Sequence, residues 1–423
     1  MVPKKIIGKK TKILKDIGER LIPEIAQTAA KKPSQFSENF SPPFLQSGKG
    51  AYVKDLDGNK FLDTIMGIGP IILGYNHPST NKAIIDQLKN GITFSLTHPL
   101  EIKLAQELKR MLPNMEMFRF SKTGGDATSA AIRAARNFTQ KNKIISCGYH
   151  GWHDWNATTL KKNSGIPNFN SKLIKKVQYN NFEQIADNID KDTAAVIMEP
   201  LIFNYPTDNY LKKIRRITKE KKILLIFDEM WTGFRLNLGG AQKYFKIDAD
   251  MACYSKAIAN GMPISVLAGK KNIIKSLNEK SFFYTTFGGE TLSLAAALNT
   301  IKFIKSNNVC NKIKKKGDSL IKNFNQIINE NNIGYLDVMG YGQRSILNIN
   351  YEDPFLIKTF IHQEMLKKGI LWNGIINLSY SHSSANVGRI CSSFNEILKD
   401  INLIGLKNLE KRLHGKKIKK LVL

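Results

Sequence analysis

The sequence predicts an α/β fold with a mainly parallel sheet, followed by a smaller α+β domain. Short apolar runs alternate with helical patterns, several of these runs end in polar or glycine-rich segments, and the pattern changes after about Lys305. Strands that alternate with helices imply a parallel sheet covered on both faces. We therefore divide the 423 residues into an N-terminal arm and hairpin (residues 1–75), a large α/β domain (76–305) and a small α+β domain (306–423).

The individual elements follow from apolar periodicity and from turn residues. Helical spacing predicts an arm at residues 14–30, and the turn at residues 57–59 predicts a hairpin over residues 51–65. The other predicted elements are strands at 117–120, 143–146, 194–198, 223–227, 251–254, near 337 and at 345–350, and helices at 79–89, 99–111, 126–139, 208–222, 291–304 and 393–406.

Composition indicates a soluble protein of a reducing compartment. Apolar residues make up 42% and charged residues 23% of the chain, as in ordinary globular proteins. No apolar run approaches the ~20 residues of a spanning helix, and residues 1–32 lack the apolar core of a secretory signal. The four cysteines lie far apart, without zinc-ligand spacing. We therefore predict a cytoplasmic protein with no membrane association and no bound metal.

The formal net charge of +29 comes mostly from lysine. An excess of this size can mark a nucleic-acid or membrane-surface partner. Here the lysines are spread along the chain, and arginine and aromatic residues do not cluster with them. We favour a solvated lysine-rich surface with no specific nucleic-acid partner, and an anionic partner or substrate is the alternative. The basic tail at residues 416–420 is expected to be frayed.

Two predicted strands deliver an acid and an amine to one edge of the sheet. One apolar run ends in Asp228, and a second, 251–254, is followed by Lys256. Ligands of open α/β sheets bind beyond the carboxyl ends of the strands. A lone aspartate there more often caps a turn, and a lone lysine is usually solvated. Together they suit pyridoxal phosphate, which needs an amine for its aldehyde carbon and an anion beside its ring nitrogen.

A phosphate site is predicted at Thr123, Gly124 and Gly125, which follow one strand and open a helix. Two glycines allow close backbone approach, and the N–H groups of a helix N-terminus bind anions. Two glycines before a helix are, by themselves, more often an ordinary turn. A second cluster of hydroxyl and glycine residues, 285–289, also precedes a helix and is a further candidate phosphate ligand.

The segment 149–154 follows another strand and carries aromatic side chains. Tyr149 is suited to lie against a planar ring. His150 and His153, beside Asp154, are candidate metal ligands, but the sequence has no third ligand at a convincing spacing. We therefore favour ring contacts over metal binding for this segment.

These segments, in this order, resemble the class III (subgroup II) aminotransferases of the fold type I pyridoxal-phosphate superfamily. The branch similar to glutamate-1-semialdehyde aminomutase is nearest. The similarity runs from about Lys49 to Thr300 and continues more weakly through the C-terminal domain. Each motif alone is common, whereas the ordered set is specific. The motifs lie at residues 55–59, 67–70, 123–127, 149–151, 199–200, 227–229, 232–235, 255–256 and 286–289.

The resemblance implies a catalytic role for Lys256, Asp228 and Tyr149. Lys256 would hold pyridoxal 5'-phosphate as a Schiff base and shuttle protons. Asp228 would partner the pyridine nitrogen, and Tyr149 would stack on the ring. Glu199 falls where it is expected to order neighbouring loops.

The resemblance also implies the remaining cofactor contacts. Thr123, Gly124 and Gly125 fall where the family holds the phosphate, and Asn204 falls at a position that can contact the ring hydroxyl. Thr286 falls where family members reach the phosphate of the neighbouring subunit, which implies a homodimer.

Three departures from the family pattern affect these expectations. The phosphate loop often reads Ser-Gly-Thr-Glu, but residues 123–126 read Thr-Gly-Gly-Asp, so Gly125 offers only backbone. Lys122 replaces a frequent asparagine and adds positive charge near the phosphate. Gly374 aligns where true aminomutases carry a glutamate near the substrate, which weakens the assignment as a mutase.

We therefore predict amino-group transfer between an amine or amino acid donor and a carbonyl acceptor. The alternative is intramolecular transfer, as in glutamate-1-semialdehyde 2,1-aminomutase. A catalytically retired relative is less favoured, because Lys256 and Asp228 are both present. A nucleic-acid-associated protein is less favoured, because the lysines are spread along the chain and no nucleic-acid module is recognisable. Arg235, Arg344 and Arg389 are candidate binders of a substrate carboxylate, although Arg235 and Arg389 also suit structural positions.

Overall fold

The computed structural model describes residues 7–421. It divides into two compact units, one formed by residues 78–310 and the other by the described residues up to His77 together with those from Asn311 onward. The predicted α/β class with a mainly parallel sheet is confirmed. The three-part domain division stays a prediction, and residues 1–6 of the predicted arm lie outside the described range.

The strands are, in chain order, β1 (Leu45–Lys49), β2 (Tyr52–Asp55), β3 (Lys60–Asp63), β4 (Met117–Ser121), β5 (Lys143–Cys147), β6 (Ile174–Lys176), β7 (Thr193–Met198), β8 (Leu224–Asp228), β9 (Met251–Tyr254), β10 (Ser265–Gly269), β11 (Leu336–Tyr341), β12 (Arg344–Ile349), β13 (Ile370–Leu371) and β14 (Ile375–Ile376). The α-helices are α1 (Lys9–Leu21), α2 (Pro78–Leu88), α3 (Pro99–Met111), α4 (Gly124–Thr139), α5 (Asp154–Ala157), α6 (Phe169–Leu173), α7 (Phe182–Asp187), α8 (Tyr210–Glu220), α9 (Gly240–Phe245), α10 (Lys271–Lys280), α11 (Thr291–Ser306), α12 (Val309–Glu330), α13 (Pro354–Lys367) and α14 (Ser384–Ile404).

The unit of residues 78–310 is built on a seven-stranded sheet with the order β4-β10-β9-β8-β7-β5-β6. The strands from β9 to β6 are parallel, whereas β10 runs antiparallel to both of its neighbours. Strands β7, β8, β9 and β10 are buried along their whole length, as expected for a sheet covered on both faces. The carboxyl ends of β5, β7, β8 and β9 therefore share one edge.

Helix α4 packs against β7, β9 and β10 through an alanine-rich face. Small side chains let the helix lie close to the sheet, and the buried members of this face are Ala127, Ala130, Ala131, Ala134 and Ala135. Its N-terminus follows β4, so the helix begins near the carboxyl edge of the sheet. That position makes its first turn available to a ligand.

The opposite edge of the sheet is held by Asp250, which precedes β9. Its carboxylate accepts from both terminal nitrogens of Arg215 at 2.7 and 3.0 Å, from Lys270 Nζ at 2.5 Å and from Leu225 N at 2.9 Å. These contacts tie α8, the start of β8 and the end of β10 to one buried carboxylate. The network sits away from the carboxyl ends and has a structural role.

The other unit combines the N-terminal hairpin with the C-terminal elements. The predicted hairpin is confirmed as β2 and β3, with Gly58 in the turn at φ +91°. Strand β1 adds to β2 antiparallel, and β13 adds to β3 parallel. Strands β11, β12 and β14 form a separate three-stranded antiparallel sheet.

Two predicted helices have wrong boundaries. The helix predicted over 14–30 ends at Leu21 because Pro23 follows, and Ile22 before it is extended at φ −130° and ψ 115°. The last helix begins at Ser384 rather than 393, because Ser383 caps it by accepting from Asn386 N.

The expectation of a frayed basic tail at 416–420 is also wrong. Ile418 is buried, and its N–H donates to Thr359 Oγ1 at 2.9 Å. Lys419 N donates to Ser34 O at 2.9 Å, and Lys417 Nζ pairs with Asp353 at 2.6 Å. Burial of Ile418 and these backbone hydrogen bonds hold the segment against the protein, although lysines flank Ile418. Across residues 7–421 we find no helix whose length and apolar character would let it cross a bilayer.

Candidate active site

Asp228 is the last residue of β8 and pairs in register with Cys253 of β9. Its side chain is 2% exposed, and Oδ2 lies 2.7 Å from Nδ1 of His150, whose own side chain is 0% exposed. Oδ1 accepts from Met230 N at 3.0 Å. The His150 ring stacks on Trp155 with centroids 6.1 Å apart. The carboxylate is therefore fixed in one orientation at the carboxyl edge of the sheet.

His150 is the functional neighbour that the sequence did not reveal. The metal pattern considered for His150 and His153 has a different explanation, because His150 contacts Asp228 and His153 lies against the glycine loop. Nowhere in the described part of the chain do three His, Cys, Asp or Glu side chains group as metal ligands. The sequence offered one signal for this contact. Residue 150 follows β5, and the carboxyl end of β5 lies at the same edge of the parallel sheet as the carboxyl end of β8.

Cys253 of β9 pairs in register with Asp228, and Lys256 comes three residues after Cys253. It opens a short 3₁₀ turn over Lys256–Ala259 with φ +48°, a left-handed conformation that is rare for residues with a side chain. Its side chain is exposed. Glu229 N donates to Cys253 O at 2.9 Å, so the segments that leave β8 and β9 run side by side. The acid and the amine thus follow adjacent parallel strands at the same edge.

The loop before α4 presents free N–H groups. Thr123 caps the helix by accepting from Asp126 N at 3.3 Å, and Asp126 Oδ2 accepts from the N–H groups of Thr123 and Lys122 at 2.7 and 3.2 Å. Asp126, which stands where the family often has the longer glutamate, therefore still completes a capping box with Thr123. Among residues 7–421, no acceptor meets the N–H of Gly124 or Gly125. A helix N-terminus of this kind is an anion seat.

Side chains from other loops lie close to both glycines of this loop. A Cβ at Gly124 would lie 2.7 Å from Met230 Sδ, and one at Gly125 would lie 2.6 Å from His153 Nδ1. Gly151 packs on Gly125 from the same side. The loops that follow β4, β5 and β8 therefore meet. Free amides, a fixed carboxylate and a lysine at adjacent strand ends fit a compact ring that carries a phosphate, a basic nitrogen and an aldehyde.

Lys122 does not leave an unbalanced positive charge at this loop. Its Nζ lies 2.7 Å from Glu290 Oε1. Glu290 also caps α11 by accepting from Leu292 N and Ser293 N at 2.9 and 3.0 Å. The positive charge expected near the phosphate is compensated, and it links the loop to the start of α11.

Tyr149 lies in the loop after β5 with 43% of its surface exposed, and the burial of the remainder raises the pKa of its phenol. Its N–H donates to Glu199 Oε1 at 3.0 Å, and a Cβ at Gly148 would lie 2.7 Å from the same oxygen. These contacts match the expectation that Glu199 orders neighbouring loops. Asn204 is exposed in the loop after β7.

Glu229 and Arg235 are buried and structural. Glu229 accepts from Ala241 N at 2.7 Å and from Gln242 N at 3.0 Å at the start of α9, and burial raises its pKa to about 7. Burial also lowers the pKa of Arg235 to about 10, and its side chain has no access to solvent for a substrate. Arg389 lies on α14, where its Nη2 donates to Lys368 O at 2.5 Å.

Thr286 lies on the exposed loop before α11. This loop and residues 93–98 line an open cleft of about 610 Å³. The cleft carries exposed apolar side chains, among them Phe94, Leu96 and Tyr284. Exposed apolar patches occur at sites that contact a protein, a membrane or a ligand.

Comparison with known proteins identifies the family. The model of the Aminotransferase class-III family matches residues 35–378 of the chain. The chain belongs to the class III aminotransferase family. It is therefore an enzyme that transfers amino groups with pyridoxal phosphate.

The curated relatives of this class III enzyme carry more than one name. Glutamate-1-semialdehyde 2,1-aminomutase of Methanococcoides burtonii is 36% identical over 346 residues, which cover 77% of this chain and 80% of the relative. The 3-aminobutyryl-CoA aminotransferase of Cloacimonas acidaminovorans is 35% identical over 313 residues, covering 72% and 75%.

Solved structures agree on the fold. The FumI protein of Sphingopyxis sp. MTA144, in a form with pyridoxal phosphate, superposes with a TM-score of 0.88 at 24% identity, covering 94% of this chain and 97% of that one. A glutamate-1-semialdehyde aminomutase of Pseudomonas aeruginosa gives 0.83 at 18% identity, covering 92% and 94%. The class III enzyme therefore has fold type I.

Proposed function

We propose that this enzyme moves an amino group from an amine or amino acid donor to a separate carbonyl acceptor, with Lys256 as the attachment point of the cofactor. One observation carries the proposal. Asp228 and Lys256 leave adjacent parallel strands at the same edge of the sheet, where a helix begins with free N–H groups at Gly124 and Gly125.

When bound, pyridoxal phosphate supplies an electron sink for the pair left behind as the donor loses its α-proton. The Lys256 amine would accept that proton and would deliver it to the carbon that was the aldehyde of the cofactor, which completes the transfer of the amino group. Asp228 would hold the proton of the ring nitrogen, and His150 keeps this carboxylate in place through the 2.7 Å contact. Tyr149 would cover one face of the ring and exclude water from it.

The chain's other residues bind and orient. The N–H groups of Gly124 and Gly125 and the hydroxyl of Thr123 would bind the phosphate. Asn204 would contact the ring hydroxyl. Thr286 would reach the cofactor of a neighbouring subunit, so we propose a homodimer in which the exposed loops around the 610 Å³ cleft are covered. We propose a cytoplasmic enzyme, because its four cysteines are free thiols.

Intramolecular transfer, as in glutamate-1-semialdehyde 2,1-aminomutase, is the second candidate. Several relatives carry that name, including two at 36% and 37% identity. Gly374, at φ +98°, stands where our alignment places a glutamate in the mutases, and this favours two separate substrates. The same cofactor residues serve both reactions.

A half-reaction separates the two candidates. The pyridoxamine-phosphate form of the protein is mixed with a panel of aldehydes and ketones that includes glutamate 1-semialdehyde, and the cofactor absorbance is followed. We expect a carbonyl acceptor to restore the yellow form and to release an aminated product. Rapid formation of 5-aminolevulinate without any added donor would overturn the two-substrate proposal.

The roles of the acid and the amine are tested by substitution. Asp228→Asn should retain cofactor but slow turnover by about 100- to 1,000-fold, because a neutral amide cannot hold the ring proton. Lys256→Ala should abolish turnover, whereas Lys275→Ala, on the exposed face of α10, should not. A Lys256→Ala protein as fast as the parent would defeat the proposal.

A further inference from the structure

His153 and Gly125 compete for the same space at the start of α4. A Cβ on residue 125 would lie 2.6 Å from both Nδ1 and Cε1 of His153, closer than real Cβ contacts come. A side chain at position 125 would therefore require the His153 ring to move. In this structure that ring, from the loop after β5, takes the space beside the Cα of Gly125.

The ring edge that takes this space carries a polar atom without a partner. Nδ1 of His153 is buried, and the described part of the chain offers it no hydrogen bond. It lies 2.6 Å from the position that a Cβ of residue 125 would take, and the N–H of Gly125 meets no acceptor in the described part of the chain. Nδ1 bears a proton in the imidazolium and in one neutral tautomer, so it can donate to a phosphate oxygen.

Two further contacts border the ring. Nε2 of His153 lies 3.8 Å from Asp126 Oδ1, which is too far for a hydrogen bond. The ring stacks on Trp152 with centroids 4.8 Å apart and planes tilted by 23°. Asp126 is itself held by the backbone of Lys122 and Thr123, so the ring is oriented against the same helix turn that presents the free amides.

We propose that His153 is a phosphate-binding residue of the cofactor site, with Nδ1 supplying the donor that Gly125 lacks. The inference rests on the proposed function, since it takes the start of α4 as the phosphate seat. It assigns to the loop after β5 a contact that a hydroxyl at residue 125 would otherwise make. His153 binds and does not take part in proton transfer.

The test measures cofactor affinity with full-length apoprotein and pyridoxal phosphate. His153→Asn places an amide near the position of Nδ1 and should bind within about threefold of the parent, whereas His153→Leu fills the space without a donor. Loss of a hydrogen bond to a charged group predicts ~10- to 100-fold weaker binding for His153→Leu. The ³¹P chemical shift of the bound phosphate should move in His153→Leu and stay near the parent value in His153→Asn.

A reciprocal pair gives an independent check. Gly125→Thr alone should weaken cofactor binding, because the new Cβ collides with the His153 ring. Gly125→Thr combined with His153→Ala should regain most of the affinity, since the hydroxyl then has both space and a ligand. Failure of the double variant to bind better than Gly125→Thr would contradict the exchange of one ligand for the other.

The outcomes separate this inference from the proposed function. If His153→Leu binds pyridoxal phosphate as tightly as the parent, with an unchanged ³¹P shift, the ring only fills space and the inference fails while the proposed function stands. If the parent binds no cofactor through Lys256, the proposed function fails first.

Discussion

The Asp228 carboxylate, which we propose to be catalytic, is oriented by Met230 N and by a histidine from another loop, His150. Asp228 and Lys256 could be chosen from the sequence, because each follows a buried apolar run that ends abruptly in a polar group. The contact between Asp228 and His150 could not, because it joins the ends of β8 and β5, which are separated by β7 in the sheet. Local pattern gives the identity of a site residue, whereas its partner depends on strand order.

His150→Phe should lower the turnover rate while the cofactor content stays the same. Phenylalanine keeps a ring to stack on Trp155 but offers no donor to Asp228. Removing one hydrogen bond to a buried carboxylate predicts a ~10- to 100-fold lower turnover. Turnover and cofactor content are measured on the same preparation. Unchanged turnover would mean that Met230 N alone orients the carboxylate.

At the scale of elements, buried strands were predictable to within one or two residues. Strand β9 matches its predicted bounds, and β8 is shifted by one residue, because continuous apolar runs leave little choice of register. Strand β10 was not predicted. Its five residues include serine, alanine and glycine, and it runs against the direction of its neighbours. Only the assembled sheet gives this segment its partners.

Asp250 should stabilise the fold rather than assist chemistry. Burial raises its pKa, but its bonds to Arg215, Leu225 N and Lys270 outweigh this and leave the pKa below the usual 3.8. Asp250→Asn removes one partner of a buried ion pair and should lower the free energy of unfolding by ~3–5 kcal/mol at pH 7. Asp187→Asn, at an exposed site on α7, is the matched control.

The effect has a defined pH dependence. A carboxylate with a depressed folded-state pKa contributes stability that is fully present above its ordinary value and is lost as the pH falls through the folded-state value. The difference between parent and Asp250→Asn should therefore be constant near neutrality and shrink below about pH 4. Denaturant unfolding at several pH values measures it. A difference that grew on acidification would be incompatible with this assignment.

At the scale of the whole molecule, the proposed homodimer predicts that a second copy of the chain covers the exposed loops beside Thr286. Leu96 is 85% exposed and lines the same cleft as Thr286. Leu96→Glu should convert a dimer to a monomer and weaken cofactor binding. Leu403→Glu replaces an equally exposed leucine, 85%, on α14 and should do neither. Light scattering reports the mass, and a parent protein that is monomeric when fully active would contradict the proposal.

The family model identifies this chain as a class III aminotransferase, and the half-reaction described above would identify its amino donor and acceptor. Relatives of similar identity are named as an aminomutase and as an aminotransferase. Both names rest on the same ring chemistry, so residues that hold the cofactor cannot distinguish them. The fold class could be predicted from the alternation of strands and helices, but donor and acceptor contacts come from loops whose arrangement the sequence pattern does not determine.

The central claim is that the Lys256 amine and the Asp228 carboxylate, from neighbouring strands, bind the same cofactor ring. Borohydride reduction of the purified protein, followed by peptide mass spectrometry, tests it most directly. The account predicts a cofactor adduct on the peptide that contains Lys256 and its absence in Lys256→Ala. An adduct on a different lysine of an active enzyme would contradict it.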